Sequence, residues 1–289
     1  ASINVNDASD ADFKIKGQVN VTQPNTNLTW YVNEVKPIRW TSIGTVTPVK
    51  IEYSPDNGSN WYNINTSYPS VEGNNEYNWT VGNLKNTTCL IRVSDARTAF
   101  TSEVTDTSDS IFTVLPQINI TQPIASQNVT AYSNSTPIRW TYTGTTVNIV
   151  NTYYSTDAGS NWTLINSSIP VTQNGTYVWP AVPILTSSTA MVKVQDSEFP
   201  LVLGTSPVFN IIGNLRLVTP DTGGQEWKVG SSQYITWDQY AVPLVNISYS
   251  TNNGSGWTTL ATNYNGSQES YQWNIANDTF ITNIAKVKI

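Results

Sequence analysis

Three stretches of the chain are near copies of one nine-residue motif: Tyr53-Ser-Pro-Asp-Asn-Gly-Ser-Asn-Trp61, Tyr154-Ser-Thr-Asp-Ala-Gly-Ser-Asn-Trp162 and Tyr249-Ser-Thr-Asn-Asn-Gly-Ser-Gly-Trp257. Each sits in the same frame of landmarks. An opening strand ends in Pro24, Pro123 or Pro220, and an Ile-x-Trp strand follows at Trp40, Trp140 or Trp237. Then come the motif and a Tyr-x-Trp strand at Trp79, Trp179 or Trp273. Internal repetition of this kind outranks local propensity as a guide to fold, because each repeat must be one folded unit. The repeat length is about a hundred residues, against ~40–50 for a propeller blade, so the units are small domains rather than blades.

Two units go on to a Val-x-Asp strand, at Asp95 and Asp196, and to a closing strand marked by Phe112 or Phe209. The third stops at Lys286-Val-Lys-Ile289, while Ile3-Asn-Val-Asn-Asp7 and Phe13-Lys-Ile15 resemble a closing half with no beginning. The domain expectation is therefore closing strands over 1–15, complete units over 16–115 and 116–213, and a unit lacking its closing strands over 214–289. A sandwich without its last strand exposes core and an unpaired edge. Two explanations fit: the chain is a window cut from a longer array, or residues 1–15 of one copy complete the third unit of the next, as in β-augmentation.

Composition narrows the function. Only 12% of the residues are charged, 11% are aromatic and the net charge is −6, so no basic patch offers itself to a phosphate backbone. Nucleic acid is not an expected partner, and no apolar run in this segment is long enough to insert in a membrane. The chain has no His, which removes Ser-His-Asp triads, Cys-His dyads and the commonest zinc ligand. The single cysteine, Cys89, reads as a small hydrophobe on a buried strand. No paired acid and base gather at one motif, and an enzyme is not expected.

The nine-residue motif resembles the Asp-box of sialidases and other β-propellers, where Asp caps backbone amides, Gly takes positive φ and Trp folds back over the turn into the core. The third copy has Asn252 where the others have Asp56 and Asp157. Asn keeps an Asx turn but cannot serve as a catalytic acid, so the motif reads as a folding device. The nine tryptophans of the landmarks, Trp40, Trp61, Trp79, Trp140, Trp162, Trp179, Trp237, Trp257 and Trp273, are read as structural. Trp30 and Trp227 lie in loop-like early parts of their units and are candidate platforms for stacking a sugar.

The unit as a whole resembles the immunoglobulin-like repeat of bacterial and archaeal cell-surface proteins, of surface-layer, sheath or filament type. It is related to the Ser/Thr-rich domain of the yeast cell-wall-synthesis family. The third unit carries the opening of that pattern best, in Thr219-Pro-Asp-Thr-Gly-Gly-Gln-Glu-Trp227-Lys-Val-Gly230, and the first two lack its paired glycines. The resemblance implies an all-β chain of tandem immunoglobulin-like β-sandwich domains. It further implies a structural role in an extracellular cell-surface assembly whose partners are copies of itself, with an adhesin or carbohydrate-binding module that takes glycans as the alternative.

Asn-x-Ser/Thr occurs at sixteen positions: Asn20, Asn27, Asn57, Asn65, Asn78, Asn86, Asn119, Asn128, Asn134, Asn161, Asn166, Asn174, Asn246, Asn253, Asn265 and Asn277. Several are the outward residues of alternating strands, so a glycosylated exterior is expected. Asp7, Asp10 and Asp12 in one loop and Asp106 and Asp109 in another, beside Asp95 and Asp196, are weak candidates for calcium. No other cofactor is expected.

Overall fold

The structure, a computed structural model, describes residues 6–171 and 174–289, with the side chain of Asn174 outside that description. The expected strand at Ile3–Val5 also lies outside the described residues. The chain divides into two compact units, one of residues 1–118, 142–149 and 198–203, the other of residues 119–141, 150–197 and 204–289.

The first sandwich is built from β1 (Gln18–Gln23), β2 (Thr29–Tyr31), β3 (Val35–Ile43), β4 (Val49–Ser54), β5 (Tyr62–Tyr68), β6 (Gly73–Thr80), β7 (Asn86–Asp95), β8 (Thr105–Thr107) and β9 (Phe112–Leu115). One sheet runs β1-β3-β6; the other runs β2-β9-β7-β4-β5 with β8 beside β7. Alternation along the strands decides which residues meet between them. Ile38 and Trp40 point inward with Arg39 outward, and they share a core with Ile51, Cys89, Ile91, Val93 and Phe112 of the facing sheet.

The second repeats this plan with β10 (Ile118–Gln122), β11 (Asn128–Thr130), β12 (Thr136–Tyr142), β13 (Ile149–Ser155), β14 (Thr163–Pro170), β15 (Asn174–Trp179), β16 (Ser187–Asp196), β17 (Leu203–Thr205) and β18 (Phe209–Ile212). Its sheets are β10-β12-β15 and β11-β18-β16-β13-β14, with β17 beside β16. Trp140, Trp179, Val192 and Phe209 are buried there as Trp40, Trp79, Ile91 and Phe112 are in the first.

The third set comprises β19 (Asn214–Thr219), β20 (Ser232–Tyr240), β21 (Leu244–Ser250), β22 (Thr258–Asn265), β23 (Ser270–Asn274) and β24 (Lys286–Lys288). They form sheets β19-β20-β23 and β22-β21-β24 around Ile235, Trp237, Val245 and Ile247. The alternation of the landmarks and the topology together make the protein an all-β chain of tandem immunoglobulin-like sandwiches.

One difference positions the candidate site. In the first two sandwiches the closing strand lies between two neighbours: β9 pairs antiparallel with β7 (Cys89 opposite Phe112) and parallel with β2 (Trp30 opposite Val114). Likewise β18 pairs with β16 (Ala190 opposite Phe209) and with β11 (Val129 opposite Ile211). In the third, neither Thr282–Ala285 nor Gln225–Val229 forms a strand, and no strand lies between them among the described residues.

Candidate functional site: repeated turns and an open apolar groove

The three motifs fold into one turn, built the same way each time. In the first, Ser54 Oγ donates to Asp56 Oδ1 at 2.8 Å and accepts the Gly58 N–H at 2.8 Å, while Asp56 Oδ1 accepts the Asn60 N–H at 2.8 Å. Ser155, Asp157, Gly159 and Asn161 repeat this at 2.7, 2.9 and 2.9 Å. Ser250, Asn252, Gly254 and Gly256 do so at 2.8 Å throughout. The two central residues of each turn have positive φ: Asn57 and Gly58, Ala158 and Gly159, Asn253 and Gly254. Two consecutive left-handed residues are what a type I′ hairpin requires. The neutral Asn252 makes the contacts of the two carboxylates, so the turn needs an acceptor and no charge.

Those contacts hold the acids ionised. Hydrogen bonds from Ser155 and Asn161 lower the Asp157 carboxyl to about 2, and donors led by the Asn60 side chain lower Asp56. An acid this firmly deprotonated is no proton donor at neutral pH.

The motif tryptophans correct one expectation. They do fold back over the turn glycines, but Trp61 and Trp162 stay partly exposed and Trp257 is 38% exposed, so none enters the core. Each ring carries a cation instead: Arg92 lies 4.1 Å from the Trp61 ring centroid, Lys193 4.8 Å from Trp162 and Lys288 4.4 Å from Trp257. The neighbouring strand brings the cation there, and a cation over an indole face is favourable while both keep contact with water. The signal for these pairs was a basic residue at one equivalent place in every unit, just before Val93, Val194 and Ile289. In the first sandwich Arg92 also donates to Glu52, a buried carboxylate that Lys50 pairs from the other side. Burial alone would raise the Glu52 carboxyl, and bonds from Lys50 and Arg92 outweigh it and lower it.

Of the two proposed sugar platforms, Trp30 is corrected outright. It is 3% exposed, packed 4.9 Å from the Phe112 ring and 6.1 Å from Trp79, because β2 is a core strand and no loop. Trp227 meets Trp273 at 6.0 Å as Trp30 meets Trp79, yet among the described residues no ring stands against it as Phe112 stands against Trp30. With Val229, Tyr249, Phe280, Ile281 and Val287 it lines an open groove in the third sandwich. Phe280 stands five residues before Ala285, as Leu84 and Leu185 stand before Cys89 and Ala190. Leu84 packs on its core, whereas Phe280 is 73% exposed and Ile281 82%. Sequence reasoning missed these residues because a side chain at a core position looks the same whether or not its neighbour is present.

The acidic loops do not come together as a calcium site. Asp7, Asp10 and Asp12 are exposed, Asp106 accepts the Val21 N–H at 2.7 Å, and Asp109 takes Asn25 at 2.6 Å. Asp95 is buried against Arg97, and no group of three metal-ligating side chains occurs among the described residues. Cys89 is fully buried and its thiol is pushed up to about 12 by burial, so it is unreactive.

Among the candidate glycosylation sites, Asn20, Asn78, Asn119 and Asn246 are exposed on strands as expected, and Asn65 and Asn86 are half-buried. Asn174 falls outside the described side chains. The Asn161 amide donates to Asp157 at 2.7 Å and holds that side chain against the turn.

The sequence matches no described protein family and no curated protein. Solved structures with a similar arrangement include fibronectin(III)-like modules of Clostridium thermocellum CbhA, at 18% identity over 68% of this chain and 93% of that one, TM-score 0.23. A tetra-tandem repeat from the extending region of a large adhesion protein matches at 13% identity over 92% of this chain and 67% of that one, TM-score 0.32. Titin domains A168–A170 match at 10% identity over 89% and 88%, TM-score 0.28.

Proposed function

We propose that the chain is a structural repeat segment of an extracellular cell-surface assembly, a surface layer, sheath or filament, whose partners are copies of itself. The observation that carries this reading is the use made of the repeated residues. The motif acids and Asn252 cap turns, the Ile-x-Trp indoles fill cores, and the surface between them is Asn- and Thr-rich with few charges. Such residues build modules. Head-to-tail polymerisation by strand donation belongs to the same proposal, as does glycosylation of the exposed asparagines.

Imaging the native cell envelope with an antibody to this chain tests it. Label confined to a regular surface array or filament is expected; label inside the cell would overturn the reading.

A second reading rests on Trp227. Its half-exposed indole in an apolar groove is a shape that could stack a sugar ring, as an adhesin would. Glycan-array binding that disappears in Trp227→Ala would favour it.

A further inference from the structure

We infer that Tyr132 and Tyr240 form a modification site, at which a peroxide-driven one-electron oxidant couples the two rings through a carbon–carbon bond. The bond ties the second sandwich to the third within one chain. The presence of such an oxidant around the chain rests on the cell-surface reading above, while the geometry of the pair stands apart from it.

The two rings stack with centroids 4.1 Å apart and planes 24° from parallel. Both belong to the second compact unit, Tyr132 in the turn after β11 and Tyr240 at the end of β20. The other tyrosine pairs among the described residues are wider or edge-on. Tyr53 and Tyr62 stack at 5.4 Å, Tyr68 meets Tyr77 at 84° and Tyr264 meets Tyr271 at 89°. Tyr132 is 49% exposed and Tyr240 half-buried, so the pair is open to an oxidant in solvent.

Backbone conformation marks both places as held for their rings. Asn33, Tyr132 and Gly230 are equivalent: each has positive φ and donates its N–H to the matching carbonyl, of Val81, Val182 or Ile275. Glycine and asparagine accept that left-handed conformation, whereas for a bulky residue it is strained. Across the stack, Ile43 pairs with Gln18 as Tyr240 pairs with Asn214, and Thr143 bonds Gln117 at the same place. Gly44 and Gly144 follow the first and third of these with φ of 75°, but Ala241 follows Tyr240 with φ of 57°. Side chains kept against backbone preference gather where a function uses them. The corresponding places of the first and second sandwiches, Asn33 and Thr143, carry no phenol.

The chemistry balances on the two rings and one peroxide. Each phenol loses one electron and one proton and becomes a phenoxyl radical, whose spin spreads to the ring carbons ortho to the oxygen. An ortho carbon of one ring joins an ortho carbon of the other, and the hydrogens those carbons carried shift to the oxygens and restore both phenols. Two electrons and two protons leave overall, and a peroxidase-class catalyst passes them to hydrogen peroxide, which becomes two waters. Radicals join through their ring faces, so a stacked pair is already placed for the step. Because the residues stand about a hundred positions apart, the bond closes a long loop in the unfolded chain and limits its freedom.

The test treats the full chain with a haem peroxidase and hydrogen peroxide and reads dityrosine fluorescence and peptide maps. The expected product is a monomer with one linked peptide that holds Tyr132 and Tyr240 and is two hydrogens lighter than its parts. Its melting temperature is expected above that of the untreated chain. Tyr132→Phe and Tyr240→Phe keep the stacked rings but lack the phenol, and each is expected to lower the dityrosine yield by about tenfold or more. Tyr62→Phe is expected to leave it unchanged. Peptide maps of natively sourced chain are expected to contain the same linked peptide. An undiminished yield in either stacked-pair variant, coupling only between chains, or native maps with both tyrosines unlinked would overturn the inference. Any of these would leave the cell-surface reading standing, since envelope imaging decides that separately.

Discussion

Asp157 accepts the backbone N–H of Asn161 at 2.9 Å, and one repeat later Asn252 accepts that of Gly256 at 2.8 Å with no charge at all. The pair separates what the turn needs from what it tolerates. A carboxylate lowered by its hydrogen bonds stabilises the fold above its ordinary range, and that contribution is lost as pH falls through the folded value. For Asp157 the window runs from the ordinary 3.8 down to about 2. We expect Asp157→Asn to leave the melting temperature at neutral pH nearly unchanged and to flatten its fall in acid across that window. Circular dichroism melts at stepped pH check this, and an unchanged acid slope would refute it.

Ala158 holds φ at 56° in the second turn, where the first and third turns use Asn57 and Asn253. A left-handed residue with a Cβ costs about 1–2 kcal/mol unless it is Gly or, in part, Asn. Ala158→Gly is therefore expected to stabilise the protein by up to about 1 kcal/mol, the greater freedom of the unfolded glycine offsetting part of the gain. Denaturant midpoints would show it; a destabilised variant counts against the strain.

Trp40, Trp140 and Trp237 are each 2% exposed or less. Truncating any one to Ala is expected to cost about 3–5 kcal/mol through lost burial and the cavity left behind. Calorimetry that finds one transition lowered by many degrees agrees with this, and unchanged melting contradicts the core assignment.

Gly175 lies under the Trp140 indole so closely that an added Cβ would stand 2.0 Å from Cε2. Gly175→Ala should therefore destabilise by about 1–3 kcal/mol through overpacking. Gly223, which has nothing within 4 Å and no positive φ, serves as the control, and Gly223→Ala is expected to be neutral or mildly stabilising. Equal effects at both positions would remove the packing argument.

The alternation of Ile38-Arg-Trp40 and the thrice-written turn were enough, as sequence, to specify strands, hairpins and the core indoles, because those depend on period and on the conformational preferences of Asn, Asp and Gly over a few residues. What surrounds a residue after folding is a different matter. Trp30 and Trp227 have equivalent places in the chain, yet one is sealed by Phe112 and the other opens on a groove. Trp61 was expected in the core and instead lies at the surface under Arg92. Exposure is set by partners distant along the chain, such as a closing strand or a cation on the next strand, so only the tertiary structure decided which of these matching side chains are finished and which still face water.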